Sequence, residues 1–101
     1  MRGKIVVVNR HVVGDRKEDF YVGRPSRLGN PFKGRDRNAN IRMYRVWLKK
    51  SYENKREVKE IIDDMVSLVK SGETVTLSCW CSPKPCHADV ICEFVMSKVR
   101  R

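Results

Sequence analysis

A short segment near the C-terminus of the sequence concentrates side chains that can act as nucleophiles or metal ligands. Cys79, Cys81 and Cys86 are followed directly by His87, with Asp89 two positions further on. Thiolate and imidazole groups bind zinc, and they also form and activate the nucleophiles of covalent catalysis. Residues 79–89 are therefore the first candidate for a functional site.

Three interpretations of this segment stand side by side. In the first it forms a tetrahedral zinc site, although its spacing differs from the usual Cys-x-x-Cys pattern. The ligands of that site would be Cys79, Cys81, Cys86 and His87. In the second, Cys81 or Cys86 is an activated nucleophile, with His87 as its base or hydrogen-bond partner. In the third, the cysteines are small buried apolar residues, and His87 and Asp89 cap a helix or bind a ligand without covalent chemistry. The candidate catalytic residues are Cys81, Cys86, His87 and Asp89.

A second segment carries positive charge on a backbone punctuated by glycine and proline. Residues 23–32 read Gly-Arg-Pro-Ser-Arg-Leu-Gly-Asn-Pro-Phe and match no known phosphate-loop pattern. The guanidinium groups of Arg24 and Arg27 can each grip a phosphate or carboxylate through two hydrogen bonds. A rigid loop with solvated arginines would have the same composition, so both interpretations stand. The candidate ligand-binding residues of the whole chain are Gly23, Arg24, Ser26, Arg27, Gly29, Asn30, Arg42, Arg45 and Trp80.

Hydrophobic periodicity predicts the elements that must position these two segments. The β-branched run at residues 5–8 predicts a strand buried on both faces, and residues 20–22 predict a second strand that can pair with it as a hairpin. Residues 23–40 show no period and predict a long structured loop. Apolar residues at helical spacing then predict a first helix that ends near residue 52.

The sequence also marks where the helices and the third strand begin and end. Asn38 or Asn40 is the predicted N-cap of the first helix. A second helix is predicted to stop at Lys70-Ser71-Gly72, where the glycine suits a left-handed cap. Residues 74–80 alternate strictly between polar and apolar side chains, which predicts a third strand, and a last helix is predicted from about residue 87 to residue 99.

The order β-β-loop-α-α-β-α predicts the α/β class: a single small domain over residues 1–101, with a short mixed sheet packed with about three helices. The long crossover would make the third strand parallel to one of the first two. Loops at the carboxyl ends of strands in such sheets commonly bind ligands. If the second and third strands are parallel, the two segments open at the same edge and form one site.

Charge and composition favour an anionic partner. The chain has a formal net charge of +10, and residues 1–50 hold 14 basic and 4 acidic residues, whereas residues 51–101 hold 8 of each. A field of that sign attracts phosphate-bearing partners. No apolar stretch approaches the ~20 residues that span a bilayer, and the opening residues are too short for a signal sequence. We therefore expect a cytoplasmic protein with reduced cysteines and no membrane partner.

Four stretches of the sequence resemble motifs of one family. They are Val7-Val8-Asn9, residues 21–32, the Tyr-Arg-x-Trp-Leu of residues 44–48, and the Leu-x-Cys-Trp-Cys-x-Pro…Cys-His-x-Asp of residues 77–89. The chain is similar across nearly its whole length to small phage and bacterial proteins grouped as domain of unknown function 4326. The resemblance implies one α/β domain in which both segments belong to one site. For a phage-encoded member it also implies the cytosol of a bacterial host, and it supplies no reaction.

The leading functional hypothesis is a pocket for a nucleotide or another phosphorylated small molecule, with or without turnover. The residues expected to face it are Arg24, Arg27, Asn30, Cys81, His87 and Asp89, with Arg42 or Arg45 at its rim. The alternative is a basic nucleic-acid-binding module, with or without a structural zinc site. A host protein as the partner of a phage protein is the third hypothesis.

Overall fold

A computed structural model describes residues 3–9, 18–23, 26–79 and 86–100 of the chain. Its elements follow the predicted order and confirm the α/β fold class. In chain order they are β1 (Lys4–Asn9), β2 (Asp19–Tyr21), α1 (Arg37–Asn54), α2 (Arg56–Lys70), β3 (Thr74–Cys79) and α3 (His87–Val99). Among the described residues, no helix is both long and apolar enough to cross a membrane.

The sheet has the order β1-β3-β2, with β3 in the centre and parallel to both neighbours. The predicted hairpin between the first two strands is therefore wrong, and the described sheet is parallel throughout where a mixed sheet was predicted. Burial explains the order, because Val75 and Leu77 of β3 are completely buried. A strand with such side chains belongs in the centre of a sheet that helices cover.

The first strand is less buried than its sequence predicts. Its β-branched residues 5–8 are half-buried, not enclosed on both faces. The reason is its position, because β1 lies at an edge of the described sheet and has β3 as its hydrogen-bonded neighbour.

The first helix begins earlier than predicted. Its N-cap is Asp36, whose carboxylate accepts a hydrogen bond from the Ala39 backbone N–H at 3.2 Å. The predicted caps Asn38 and Asn40 are therefore wrong, and both lie inside α1. An aspartate suits this place because its negative charge also interacts favourably with the positive end of the helix dipole.

The remaining boundaries agree with the sequence. The second helix ends at Lys70, and Gly72 follows with a φ of 92°, the left-handed conformation predicted there. The third strand and the last helix occupy the predicted stretches, except that residue 80 lies outside the described residues. The core lies between the helices and the sheet. Its largest completely buried side chains include Tyr44, Leu48, Ile62, Met65, Leu77 and Ile91.

Candidate functional site

The carboxyl ends of β2 and β3 meet at one edge of the sheet because the two strands are parallel neighbours. Beyond β2, the Val22 N–H donates to the Ser78 carbonyl at 3.0 Å, so the chain still runs beside β3 there. A cleft of about 370 Å³ opens at this edge, beside the first residues of α1 and α3. The described residues that line it are Gly23, Asn30, Phe32, Gly34, Arg35, Arg37, Asn40, Ile41, Cys79, Cys86 and His87.

One wall of the cleft is the loop that leads to α1. Asn30 is buried, and its side-chain oxygen accepts a hydrogen bond from the Phe32 N–H at 2.9 Å. The Gly29 N–H donates to the Ser26 carbonyl at 3.0 Å and closes a tight turn just before it. The Ser26 hydroxyl oxygen is buried and meets no hydrogen-bond partner among the described residues. The hydrogen bonds accepted by the Asn30 side chain and the Ser26 carbonyl fix the shape of this loop, which has no helix or strand.

The same loop is attached to α1 at two points. The buried Tyr44 hydroxyl donates to the Leu28 carbonyl at 2.6 Å. The Asn40 side-chain amide donates to the Gly34 carbonyl at 2.7 Å. Because both donors come from the rigid helix, the loop is held in a defined position on the cleft.

A second part of the cleft wall carries two thiols. The sulfur atoms of Cys79 and Cys86 lie 3.3 Å apart, and the two residues are 1% and 4% exposed. Cys79 is the last residue of β3, and Cys86 is the N-cap of α3. The Cys86 sulfur accepts a hydrogen bond from the Ala88 N–H at 3.4 Å. The start of the last helix thus places one sulfur directly against the end of the central strand.

His87 joins this part of the wall to the residue that follows β2. Its Nε2 contacts the Val22 carbonyl oxygen, and because a carbonyl only accepts, Nε2 carries the proton and donates it. The ring also meets the Tyr44 ring edge-on, with centroids 5.1 Å apart. A buried imidazole with its tautomer set by the backbone is a fixed part of the cleft.

The described lining of the cleft carries positively charged side chains. Of the described residues that line it, two are arginines and none is acidic. Arg37 is the first residue of α1, and Arg35 precedes the helix by two positions. The start of α1 therefore brings two guanidinium groups to the cleft, with the capping carboxylate of Asp36 between them in the chain.

All the described residues that line the cleft fall within the part of the chain that matches a known family. The model of a domain of unknown function, DUF4326, matches residues 7–97, from β1 to the last turns of α3. The chain belongs to the DUF4326 family. The resemblance drawn from the sequence motifs is thereby confirmed at the level of the family. No curated protein and no solved structure matches the chain.

The DUF4326 fold brings together one subset of the residues predicted from sequence. Gly23, Asn30, Cys79, Cys86 and His87 line one cleft, so the two segments do meet at a common edge. Ser26 and Gly29 form the turn beside it. Arg24, Trp80 and Cys81 lie outside the described residues, and their predicted roles stay predictions.

Three predicted arginines lie elsewhere on the DUF4326 domain. The Arg27 side chain is 67% exposed and pairs with Glu57 at 3.8 Å. Arg45 forms an ion pair with Glu93 of α3. Arg42 lines a separate groove together with the exposed side chains Met43 and Val46.

The arginines that do line the cleft, Arg35 and Arg37, were missed by sequence reasoning. The signal that could have found them is Asp36 between them, because aspartate is a favoured N-cap. Placing the cap at Asn38 or Asn40 moved the helix start beyond both arginines. With Asp36 as the cap, a cationic helix N-terminus at the end of the loop follows from the sequence.

The zinc hypothesis is neither supported nor tested by the described part of the DUF4326 chain. Cys79, Cys86 and His87 all reach the cleft, and Cys81 lies outside the described residues. Within the described ranges, no group of three or more His, Cys, Asp or Glu side chains could hold a metal ion.

The fourth cysteine, Cys92, fits the interpretation of a structural thiol. It is half-buried on α3. Burial, helped by the negative charges of Asp89 and Glu93, raises its pKa to about 11. A thiol with so high a pKa is protonated and unreactive near neutral pH.

Asp89 serves the start of α3 in this structure. Its carboxylate accepts a hydrogen bond from the Cys86 N–H at 3.1 Å and completes a capping box. We expect Asp89→Ala to lower the free energy of unfolding by about 1 kcal/mol, the usual effect of losing a cap. Urea denaturation measures this loss, and Asp64→Ala, at an exposed position of α2, is the matched control. Equal stability of the Asp89 variant and the wild type would contradict the capping role.

Proposed function

We propose that the cleft binds a phosphorylated small molecule of the nucleotide class. The observation that carries the proposal is the pair of arginines on a cleft whose described lining contains no carboxylate. The cleft volume of about 370 Å³ falls within the range of small-molecule sites, roughly 300–1,000 Å³. Its position at the carboxyl edge of a parallel sheet is also where α/β domains generally bind ligands.

The two ends of the cleft suit different parts of such a ligand. Arg35 and Arg37 at the start of α1 would hold the phosphate, because guanidinium groups bind phosphate oxygens in pairs. The half-buried side chains of Phe32 and Ile41 offer apolar surface for a planar base. Asn30, on the loop wall, supplies an amide for polar edges of the ligand.

The far end of the cleft would place the ligand against Cys79, Cys86 and His87. A thiol and an imidazole are groups that covalent catalysis uses as nucleophile and base. With Nε2 of His87 donating to Val22, Nδ1 is the unprotonated nitrogen of the neutral ring. The proposed ligand therefore has its anionic group at one end and its reactive group at the other.

Thermal-shift titration with phosphorylated compounds tests the proposal. The panel contains nucleoside mono- and diphosphates, a dinucleotide, a sugar phosphate and inorganic phosphate, all at one ionic strength. We expect at least one organic phosphate to raise the melting temperature. Arg35→Ala and Arg37→Ala should each weaken its binding about tenfold or more, the loss of roughly 1.4 kcal/mol. Arg45→Ala is the matched control, because Arg45 lies on the same helix but pairs with Glu93.

Two outcomes would contradict the proposal. One is the absence of stabilisation by every compound in the panel. The other is an equal loss in the Arg45 variant, which would show general attraction to a basic surface instead of binding in the cleft. The nucleic-acid alternative makes a separate prediction, since its binding constant should fall with salt by a log–log slope of about 0.9 for each duplex phosphate contacted.

A further inference from the structure

The two thiols of the cleft are arranged as a pair. The Cys79 and Cys86 sulfur atoms are 3.3 Å apart, and a disulfide bond is about 2.05 Å long, so roughly 1 Å of approach would join them. Both residues are almost completely buried. They also line the cleft, which gives a small molecule a route to them.

We propose that Cys79 and Cys86 form a redox-active dithiol that a peroxide oxidises to a disulfide. Cys86 is the attacking residue, because its sulfur at the N-terminus of α3 receives the Ala88 N–H. A hydrogen bond from a helix N-terminus favours negative charge on that sulfur. Cys79 is the resolving residue, because its sulfur is already in contact with that of Cys86.

The reaction balances with hydrogen peroxide as the only oxidant. The Cys86 thiolate attacks one peroxide oxygen, the O–O bond breaks, and the leaving hydroxide takes up the proton lost by the thiol as water. Cys86 is then a sulfenic acid. The Cys79 sulfur attacks the Cys86 sulfur, the S–O bond breaks, and the hydroxyl leaves as water with the Cys79 proton. Two thiols and one peroxide thus give one disulfide and two waters, with two electrons passing from sulfur to oxygen.

The disulfide would join the end of β3 to the start of α3. It would also remove both thiols from the wall of the cleft. An effect of oxidation on ligand binding is expected only if the proposed function is correct. Formation of the disulfide can be tested without any ligand. The two ideas can fail independently.

The test uses the full chain in both redox states. The protein is treated with a small excess of hydrogen peroxide, its remaining thiols are alkylated, and peptides are mapped by mass spectrometry. We expect a disulfide between Cys79 and Cys86, formed equally in a Cys92→Ser variant. Cys79→Ser should instead stop at a sulfenic acid on Cys86 that dimedone traps.

Three results would overturn the proposal. The first is full alkylation of Cys79 and Cys86 after peroxide treatment. The second is a disulfide from Cys86 to Cys81 or Cys92 in the wild-type protein. The third is stoichiometric zinc in the purified chain that protects both thiols from peroxide, which would favour the metal interpretation of the same residues. Mapping of the wild-type protein decides the matter even if a cysteine variant does not fold.

Discussion

Tyr44→Ala is expected to lower the free energy of unfolding by about 3–5 kcal/mol, the usual loss for a large buried ring. Tyr44 is completely buried and packs its ring against Trp47 and His87, with centroid distances of 5.2 and 5.1 Å. Its hydroxyl is also the link between α1 and the Leu28 carbonyl of the cleft loop. The variant therefore loses packing and a loop attachment together, and urea denaturation measures the total.

Tyr44→Phe separates these two contributions. It keeps the ring and leaves the buried Leu28 carbonyl without its donor, which should lower the free energy of unfolding by about 1–3 kcal/mol. If the Phe variant is as stable as the wild type, the hydroxyl does not hold the loop. If it is as unstable as the Ala variant, the ring packing contributes little.

The pH dependence of stability at alkaline pH depends on the same hydroxyl. Burial, followed by the charge of Cys86, raises the pKa of Tyr44 well above its ordinary value of 10.0. Below that value the tyrosine is neutral in both the folded and unfolded chains. Just above pH 10.0 the tyrosine hydroxyl loses its proton in the unfolded chain and keeps it in the folded chain. Ionisation of Tyr44 should therefore lower the free energy of unfolding by about 1.4 kcal/mol per pH unit. Tyr44→Phe should remove that part of the alkaline slope and leave the rest.

His87→Ala should lower the free energy of unfolding by about 2–4 kcal/mol. The loss has two sources, a cavity at a buried ring position and a Val22 carbonyl that loses its donor. Chemical denaturation measures the loss, and ligand titration of the same variant measures the effect on the cleft.

The matched variant is His87→Gln. A glutamine amide nitrogen reaches about as far as Nε2, so it can donate to Val22 while the imidazole is absent. We expect it to recover more than half of the stability lost in His87→Ala. A glutamine variant as unstable as the alanine variant would contradict the assigned hydrogen bond. If a ligand is turned over, loss of turnover with retained binding in this variant would assign the proton transfer to the imidazole.

The parts of the structure that could be predicted from the sequence are those governed by local periodicity. The alternation of β3 and the helical spacing of α3 are properties of neighbouring residues, so their boundaries followed from the pattern. The same reasoning placed Cys86 and His87 at a helix start, where they lie. Their meeting with Gly23 and Asn30 depended on β2 and β3 being parallel, which was inferred from connectivity.

The parts that could not be predicted depend on contacts between distant residues. Asp36, Asn38 and Asn40 are all residue types that favour the N-cap position. In the structure Asp36 is the cap, and the Asn40 side chain instead donates to the Gly34 carbonyl and holds the loop. The position of both cleft arginines follows from that choice. Strand pairing is also non-local, because the sequence of β1 does not specify whether β2 or β3 is its neighbour.

The central position of β3 has a consequence for synthesis of the chain on the ribosome. Among the described strands, β1 and β2 each pair with β3 and not with each other, and β3 begins at Thr74. A nascent chain therefore cannot close this sheet until β3 has been translated. Contacts of such long sequence separation also form slowly. Both walls of the cleft should then appear in one late, cooperative step, and a stalled chain that ends before β3 should present β1 and β2 without their partner.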